Sequence, residues 1–282
     1  MKIHRIETGK VRIKQNQVRK AQGFAPKLTK VFFDKQWTDW LPIFAWVIEH
    51  PDGIIVVDTG ETHKTGSKGY LPQWHPFYAL AVDFDVKPEE EIGPQMKQLG
   101  IDPEKDVSKV IMTHLHTDHA GGLHHFPNAE ILIESNEYKV ASGISGIMKG
   151  YLPHRWPKWL RPQLISLPEV AYGPFLKSMP LTDDGKVMLV STPGHVADHL
   201  SVIVEMEGFY YFLAGDTSYT EENMLQSIPD GVGTVDSIDT LWKIQAFAQH
   251  HPTIYLPSHD PDVPRRMDEK VIVPVYEETL EF

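Results

Sequence analysis

The stretch Thr-His-Leu-His-Thr-Asp-His-Ala-Gly-Gly, residues 113–122, decides the fold, because it places three imidazoles and a carboxylate within six positions behind the apolar run 107–112. If that run is a strand, alternate side chains after it point the same way, so His114 and His116 can bind one cation. Asp118 and His119 can then turn back toward a second cation. The stretch therefore predicts a metal site at the end of a strand, with room for two metals.

More candidate ligands follow other apolar runs of the chain. His195 ends a Thr-Pro-Gly-His sequence after the run 187–191, Asp216 follows the run 209–214, and His259 follows the run 253–257. A dinuclear site needs more ligands than residues 113–122 supply, and these three residues can provide them. Because the chain has no cysteine, any metal must be held by nitrogen and oxygen alone, which excludes zinc fingers and iron–sulfur clusters.

Hydrophobic periodicity predicts alternating strands and helices. Short runs rich in Val, Ile, Tyr or Phe predict strands at 43–48, 54–57, 109–113, 130–133, 187–191, 200–205, 209–214 and 253–257. Amphipathic or capped segments predict helices at 88–99, 136–141, 221–226 and 237–250. The alternation favours a layered α/β fold, and the Glu-Gly pair at 207–208 predicts a hairpin, so part of the sheet is expected to be antiparallel.

Composition narrows the possible partners. No window approaches the run of about eighteen apolar residues that a membrane helix needs, so no membrane insertion is expected. A formal net charge of −11 opposes binding to a phosphate backbone, so we expect no nucleic-acid partner and a neutral or weakly polar small molecule instead. The first residues carry no export signal, which makes a cytoplasmic location the expectation.

The chain is expected to form a single domain over residues 1–282, since no composition shift or linker divides it. Two aromatic segments interrupt the pattern, near 61–87 with Trp74 and near 145–165 with Trp156. Both are interpreted as loop insertions. Their aromatic side chains could cover a satellite core, form a wall for an apolar substrate, or make a homodimer contact.

In its order of motifs, the chain resembles the metallo-β-lactamase superfamily, whose members carry His-x-His-x-Asp-His followed by separate His, Asp and His ligands. The resemblance implies an α/β fold, a four-layer αββα sandwich with mixed sheets. It also implies a ligand set for two metals: His114, His116 and His195 for the first, Asp118, His119 and His259 for the second, and Asp216 as the bridge. Asp58, at the end of a predicted strand, resembles the family's acid that orients a ligand.

Residues 215–223 resemble the corresponding segment of N-acyl homoserine lactonases, the quorum-quenching enzymes of this superfamily, in which a Ser-Tyr-Thr run follows the bridging acid. The resemblance implies a dinuclear metal-dependent hydrolase that opens the lactone ring through a metal-bridging hydroxide. Tyr219 would donate a hydrogen bond to the carbonyl oxygen, and Asp118 would carry the proton to the departing ring oxygen. Zinc is the expected metal, with cobalt, manganese and iron left open by the ligand types.

Two departures from the lactonases leave other activities open. Thr117 stands where those enzymes often have an aromatic residue, and residues 196–199 read Val-Ala-Asp-His where Pro-Gly-His is usual. The first alternative is a thioesterase similar to glyoxalase II, or an organophosphate or ester hydrolase on the same fold. A flavodiiron oxidoreductase is a second, although that class typically has Glu where this chain has His116. A metal-bound protein without activity is the third.

Overall fold

The computed structural model describes residues 1–18, 27–231 and 233–275. The strands in this part of the chain are β1 (Lys2–Ile13), β2 (Leu41–His50), β3 (Gly53–Val57), β4 (Val82–Asp85), β5 (Val107–Ile111), β6 (Glu130–Glu134), β7 (Gln163–Ile165), β8 (Ser178–Pro180), β9 (Val187–Ser191), β10 (Leu200–Met206), β11 (Phe209–Gly215) and β12 (Thr253–Pro257). The helices are α1 (Gln15–Val18), α2 (Lys27–Phe32), α3 (Pro76–Leu80), α4 (Ile92–Gln98), α5 (Thr117–Ala120), α6 (Ser135–Ser142), α7 (Glu221–Leu225), α8 (Asp236–His250) and α9 (Val263–Glu269).

The strands form two mixed sheets. The first has the order β4-β1-β2-β3-β5-β6-β7 and the second the order β12-β11-β10-β9-β8. In the first sheet β1 to β4 pair antiparallel where they meet, while β3, β5, β6 and β7 run parallel. In the second sheet only β11 and β12 are parallel. The predicted hairpin at 207–208 is the tight turn between β10 and β11, with Gly208 at φ 84°.

Three apolar clusters separate four layers. The cluster between the sheets joins Trp46 and Ile55 of the first sheet to Leu213 of the second. A second cluster lies between the first sheet and α4 and α6, and a third lies between the second sheet and α8. Because successive side chains of a strand point to opposite faces, each sheet contributes to two clusters. The arrangement is helix, sheet, sheet, helix, which confirms the predicted αββα sandwich.

The predicted strands were confirmed, but several elements were missed. The longest is β1, whose alternation of buried and exposed side chains breaks at Gly9, where φ is +92° and the register with β2 shifts. A bulge of this kind removes the period-2 signal. The proposed insertion near 61–87 contains α3 and β4, and β4 extends the first sheet by pairing with β1.

The predicted helix 88–99 is interrupted. Residues Pro88–Glu90 form a 3-10 turn, Glu91 is extended with ψ 153°, and α4 begins only at Ile92. The interruption turns the Glu91 side chain away from its own helix. Among the described residues, the helices are too short or too polar to cross a membrane.

The two sheets meet at the ends of their strands. The Phe44 amide donates to the Ser258 carbonyl at 2.9 Å, and the Leu200 amide donates to the Thr113 carbonyl at 3.0 Å. Each hydrogen bond joins the first sheet or its connecting loop to the second. The loops that follow β5, β9, β11 and β12 are thereby brought to one edge of the sandwich.

Candidate metal centre

Hydrogen bonds to Asp58 hold residues 113–122 where the chain leaves β5. Asp58 directly follows β3 and lies in the left-handed region, with φ 56°, a conformation that is uncommon for a residue other than glycine. Its Oδ1 accepts from the Thr113 amide and its Oδ2 from the Thr113 hydroxyl, both at 2.8 Å. Its Oδ2 also accepts from Nδ1 of His119 at 2.8 Å. Asp58 therefore holds both Thr113, at the start of the motif, and His119, six residues later.

The short helix α5 and the glycines after it shape the rest of the loop. The α5 backbone begins at His116, which accepts from the amides of His119 and Ala120. A Cβ on Gly121 would lie 2.3 Å from Oε1 of Glu61, and one on Gly122 would lie 2.2 Å from the Thr59 carbonyl. Only glycine lets this loop pack so closely on the segment that follows β3.

Three histidines predicted to share a metal converge. Nε2 of His114 lies 3.0 Å from Nδ1 of His116, which lies 2.9 Å from Nε2 of His195. The other ring nitrogen of each histidine has an acceptor: the Thr113 hydroxyl for His114, the Lys149 carbonyl for His116 and the Asp230 carboxylate for His195. The Thr113 hydroxyl donates to Asp58 and so accepts from His114, and a carbonyl or carboxylate can only accept.

In the neutral rings, the converging nitrogens therefore carry lone pairs. Three lone pairs at these separations repel one another unless a cation or a proton lies among them. Burial and the neighbouring imidazoles hold the pKa of His114 well below its ordinary value, and burial lowers the pKa of His116 to about 4. Both rings are thus neutral at pH 7, as metal ligands must be.

A second group gathers around Asp118. Nε2 of His259 lies 3.5 Å from Oδ2 of Asp118 and 3.4 Å from Oδ1 of Asp216, and Nε2 of His119 lies 3.2 Å from the same Asp216 oxygen. The other ring nitrogen of His259 donates to the Pro42 carbonyl at 2.9 Å, so its Nε2 also presents a lone pair.

Asp216 stands between the two groups. Its Oδ1 faces His119 and His259, and its Oδ2 lies 3.5 Å from Nε2 of His195 and 4.0 Å from Nε2 of His114. Its amide donates to Nε2 of His199 at 3.1 Å. All seven residues predicted as ligands are therefore brought together, with Asp216 between the two groups.

The donor set fits metal ions. Among the described residues, Nε2 of His119 and Oδ1 of Asp216 are buried and have no hydrogen-bond partner. Burial alone would raise the pKa of Asp216, but His259 and His119 hold it well below its ordinary value. Burial would lower the pKa of His195, but Asp230 and Asp216 raise it to about 9. The buried carboxylates thus favour positive charge here, and imidazole with carboxylate suits zinc, cobalt, manganese or iron.

The outer partners of the ligands show what the sequence could not predict. Asp230 and the Pro42 and Lys149 carbonyls orient three of the histidines, and none was predicted. Backbone carbonyls carry no signal in residue type, and Asp230 lies in a loop without a motif. Partners of this kind set the tautomer and direction of a metal-binding imidazole.

Tyr219 lies beside the candidate metal centre. Its ring centroid is 5.9 Å from that of His259, and its hydroxyl oxygen accepts from Nε2 of Gln17 at 2.9 Å. Burial, with Asp230 and Asp216 nearby, raises the pKa of Tyr219 well above its ordinary value. The hydroxyl keeps its proton at neutral pH and can donate it in a hydrogen bond.

A cleft of about 590 Å³ opens beside Tyr219, with Trp37 and Leu41 in its lining. The segment near 61–87 borders the same region through Tyr78, which shares a small apolar cluster with Tyr219. Trp74, predicted as part of a substrate wall, is 66% exposed. The apolar lining next to Tyr219 thus includes Trp37, which precedes β2, and Leu41, the first residue of β2.

Comparison with known proteins places this geometry in context. The family model of the metallo-beta-lactamase superfamily matches residues 38–259. The N-acyl homoserine lactonase AttM of Rhizobium radiobacter is 26% identical over 269 residues, 93% of this chain and 94% of that protein. The N-acyl homoserine lactonase AiiA of Bacillus thuringiensis subsp. kurstaki is 31% identical over 195 residues, 67% of this chain and 69% of that protein.

A solved structure shares the fold. A crystal structure of a B. thuringiensis AiiA variant with N-decanoyl-L-homoserine at its active site aligns with a TM-score of 0.74 at 21% identity, and covers 97% of this chain and 96% of that one.

Proposed function

From the premise that this chain belongs to the metallo-β-lactamase superfamily, we propose that it is a metal-dependent hydrolase that opens the lactone ring of N-acyl homoserine lactones. The main observation in favour of a lactone substrate is the Tyr219 hydroxyl, which keeps its proton and lies beside His259 and Asp216. The likeness to AttM and AiiA, both N-acyl homoserine lactonases, supports the same class.

The cofactor proposed is a pair of divalent ions, zinc in the first instance. His114, His116 and His195 would hold one ion, Asp118, His119 and His259 would hold the other, and Asp216 would contact both. When bound, such ions supply a water-derived nucleophile at neutral pH and polarise a carbonyl oxygen. The lone pairs that the five imidazoles turn inward are the physical basis for this assignment.

Tyr219 stabilises the charge that develops on the lactone carbonyl oxygen. Since Gln17 donates to the tyrosine oxygen, the tyrosine proton is left for the substrate. A donor aimed at the developing oxyanion accelerates acyl transfer because it binds the transition state more strongly than the ground state.

Asp118 transfers the proton that the departing ring oxygen needs. Its side chain is 16% exposed, and its Oδ2 faces Nε2 of His259 at 3.5 Å. As the new carbon–oxygen bond forms from water and the ring carbon–oxygen bond breaks, one proton must reach the ring oxygen. We assign that transfer to Asp118. The products are a carboxylate and an alcohol in one acyl homoserine molecule.

The cleft supports a substrate with an apolar chain. Trp37 and Leu41 line the space beside Tyr219, so an acyl chain placed there keeps the lactone carbonyl near the tyrosine hydroxyl. The lactone itself is uncharged, in keeping with a chain of net charge −11 that would repel an anionic substrate.

The test is hydrolysis of N-decanoyl-L-homoserine lactone by zinc-loaded wild type and Tyr219→Phe. We expect kcat to fall about a hundredfold, the effect of losing one oxyanion donor worth ~3 kcal/mol. The matched control is Tyr78→Phe, which removes a buried hydroxyl from the same apolar cluster but one that donates to the Gly150 carbonyl. That variant should lose about 1 kcal/mol of stability and little activity.

A thioester and an organophosphate triester belong in the same assay, because Thr117 and residues 196–199 depart from the lactonase pattern. Strong turnover of either, with an intact lactone, would retain the metal centre and assign the protein to another hydrolase of the superfamily. Equal lactone turnover by wild type and Tyr219→Phe would remove the tyrosine from the mechanism.

A further inference from the structure

A second group of imidazoles surrounds Glu91, apart from the seven residues of the candidate metal centre. Nε2 of His125 lies 2.6 Å from Oε2 of Glu91, and Nε2 of His124 lies 3.1 Å from the same oxygen. The Glu91 side chain is 3% exposed, whereas those of His124 and His125 are 34% and 20% exposed. A buried carboxylate thus faces two imidazoles that are open to solvent.

The other oxygen of Glu91 is fully engaged. Oε1 accepts from the Thr62 hydroxyl at 2.8 Å, from the His63 amide at 2.9 Å and from Nδ1 of His63. Glu91 precedes α4 but makes no side-chain cap to that helix. Its carboxylate is therefore held in one orientation, with Oε2 presented to His124 and His125.

The two contacts of the His124 ring favour a positive charge between its Nε2 and the Glu91 carboxylate. Its Nδ1 lies 3.1 Å from the Gly121 carbonyl, which can only accept, so Nδ1 carries the proton. In the neutral ring, Nε2 then turns a lone pair toward the carboxylate oxygen, which is repulsive. Either a second proton on His124 or a cation bound by Nε2 and Oε2 removes the repulsion.

The surroundings match those of a protein metal ligand. A histidine that binds a metal usually donates its other ring N–H to a carbonyl or carboxylate, as His124 does to Gly121. Space for the His125 ring depends on Gly93, where a Cβ would lie 2.3 Å from Nδ1 of His125. Burial alone would raise the pKa of Glu91, but hydrogen bonds from His124, His125 and His63 hold it well below its ordinary value. The carboxylate is thus charged at neutral pH.

We propose that Glu91, His124 and His125 form an additional binding site for a divalent transition metal of the zinc class, with His63 and Thr62 orienting the carboxylate. Ligand atoms of the three residues lie within 4.8 Å of one another, close enough to share one ion. Two imidazoles and one carboxylate suit zinc, and the exposed side of the site leaves a position for water.

The site would brace the loop that carries the main metal motif. His124 and His125 follow Gly122 after one residue, Glu91 directly precedes α4, and Thr62 and His63 belong to the segment after β3. One ion would link two of these segments, and Glu91 already links the third. Its role is structural, because none of its ligands belongs to the candidate metal centre.

The test compares metal content rather than activity. Wild type, His124→Asn/His125→Asn and Glu91→Gln are loaded with excess zinc, desalted and analysed for zinc per chain by mass spectrometry. Wild type should hold one equivalent more than either variant. The matched control His154→Asn/His250→Asn also removes two histidines, both exposed, and should hold as much zinc as wild type.

The measured quantity is the difference in zinc per chain between wild type and each variant. It is therefore independent of what the candidate metal centre binds and of whether the protein opens lactones. Equal zinc contents in wild type and folded variants would overturn the proposal and leave Glu91 as a carboxylate hydrogen-bonded to neighbouring histidines. If the variants do not fold, crystals of zinc-soaked wild type decide: anomalous density at the zinc edge between Glu91 and His124 supports the site. Ordered side chains without such density overturn it.

Discussion

At the scale of single residues, Asp58 shows how strain and function coincide. It adopts a left-handed conformation and uses both oxygens to hold Thr113 and His119. In this left-handed conformation the carboxylate that follows β3 reaches both partners.

We predict that Asp58→Asn lowers zinc affinity about ten- to a hundredfold, because an amide cannot replace the charge that orients His119. Asparagine tolerates the left-handed conformation, so the fold should persist. Competition with a chromophoric chelator measures the affinity. Asp268→Asn, which changes a carboxylate that is 70% exposed, is the control. Unchanged affinity in Asp58→Asn would mean that His119 is positioned by its loop alone.

Gly60 offers a test of close packing at the same loop. Its φ is +68°, and a Cβ there would lie 1.9 Å from Oγ1 of Thr8. We predict that Gly60→Ala lowers the free energy of unfolding by about 2–4 kcal/mol, since overpacking adds to backbone strain. Gly185→Ala has a similar φ of +71° with nothing within 4 Å, so it isolates the strain. Urea denaturation of both variants should show the larger loss in Gly60→Ala, and equal losses would exclude the clash.

At the scale of elements, the strands that the sequence predicted best are those whose apolar residues follow one another without interruption. The runs that became β9, β11 and β12 were recognised because their apolar residues are consecutive. The long β1 was missed because Gly9 breaks its alternation, and β4 was missed because it lies within a segment interpreted as an insertion. Pairing across the sheet, which local sequence does not encode, determines both strands.

The helix α8 was predicted almost to its observed ends, but the sequence did not predict how far Phe247 is buried. The structure buries Phe247 together with Leu241, Ile244 and Ala248, and leaves Ile238 half-buried. Phe247 packs against Phe175, Tyr210 and Phe212, which come from distant parts of the chain. Tertiary packing therefore selected the face.

We predict that Phe247→Ala costs about 3–5 kcal/mol of stability, the usual effect of emptying a buried aromatic site. Trp242→Ala on the same helix, where the side chain is 58% exposed, should cost under about 0.5 kcal/mol. Chemical denaturation followed by circular dichroism gives both values. A small loss in Phe247→Ala would mean that the third apolar cluster collapses without penalty.

At the scale of the whole molecule, the candidate metal centre joins the two sheets. His114, His116 and His119 follow β5 of the first sheet, while His195, Asp216 and His259 follow strands of the second. The resemblance in their sequence order predicted that these residues share a site, and the structure brings them close together. Their outer partners were not predicted, because the Pro42 and Lys149 carbonyls and Asp230 become visible only once the chain is folded.

We predict that metal removal by a chelator destabilises the entire sandwich as well as abolishing hydrolysis. A metal bound only by the folded state at a hundred times its Kd contributes about 2.7 kcal/mol, or several degrees in Tm for a chain of this size. Thermal melts with chelator, and after zinc is restored, measure the shift. Identical melts would mean that the two sheets hold the ligands in place without metal.

The most direct test of the central claim is hydrolysis of N-decanoyl-L-homoserine lactone by the zinc-loaded wild-type protein, measured beside a thioester and a phosphotriester and repeated after chelation. We expect rapid ring opening that chelation abolishes and zinc restores, with slower turnover of the thioester and the phosphotriester. A folded, zinc-replete protein that leaves the lactone intact while cleaving the thioester or phosphotriester would contradict it.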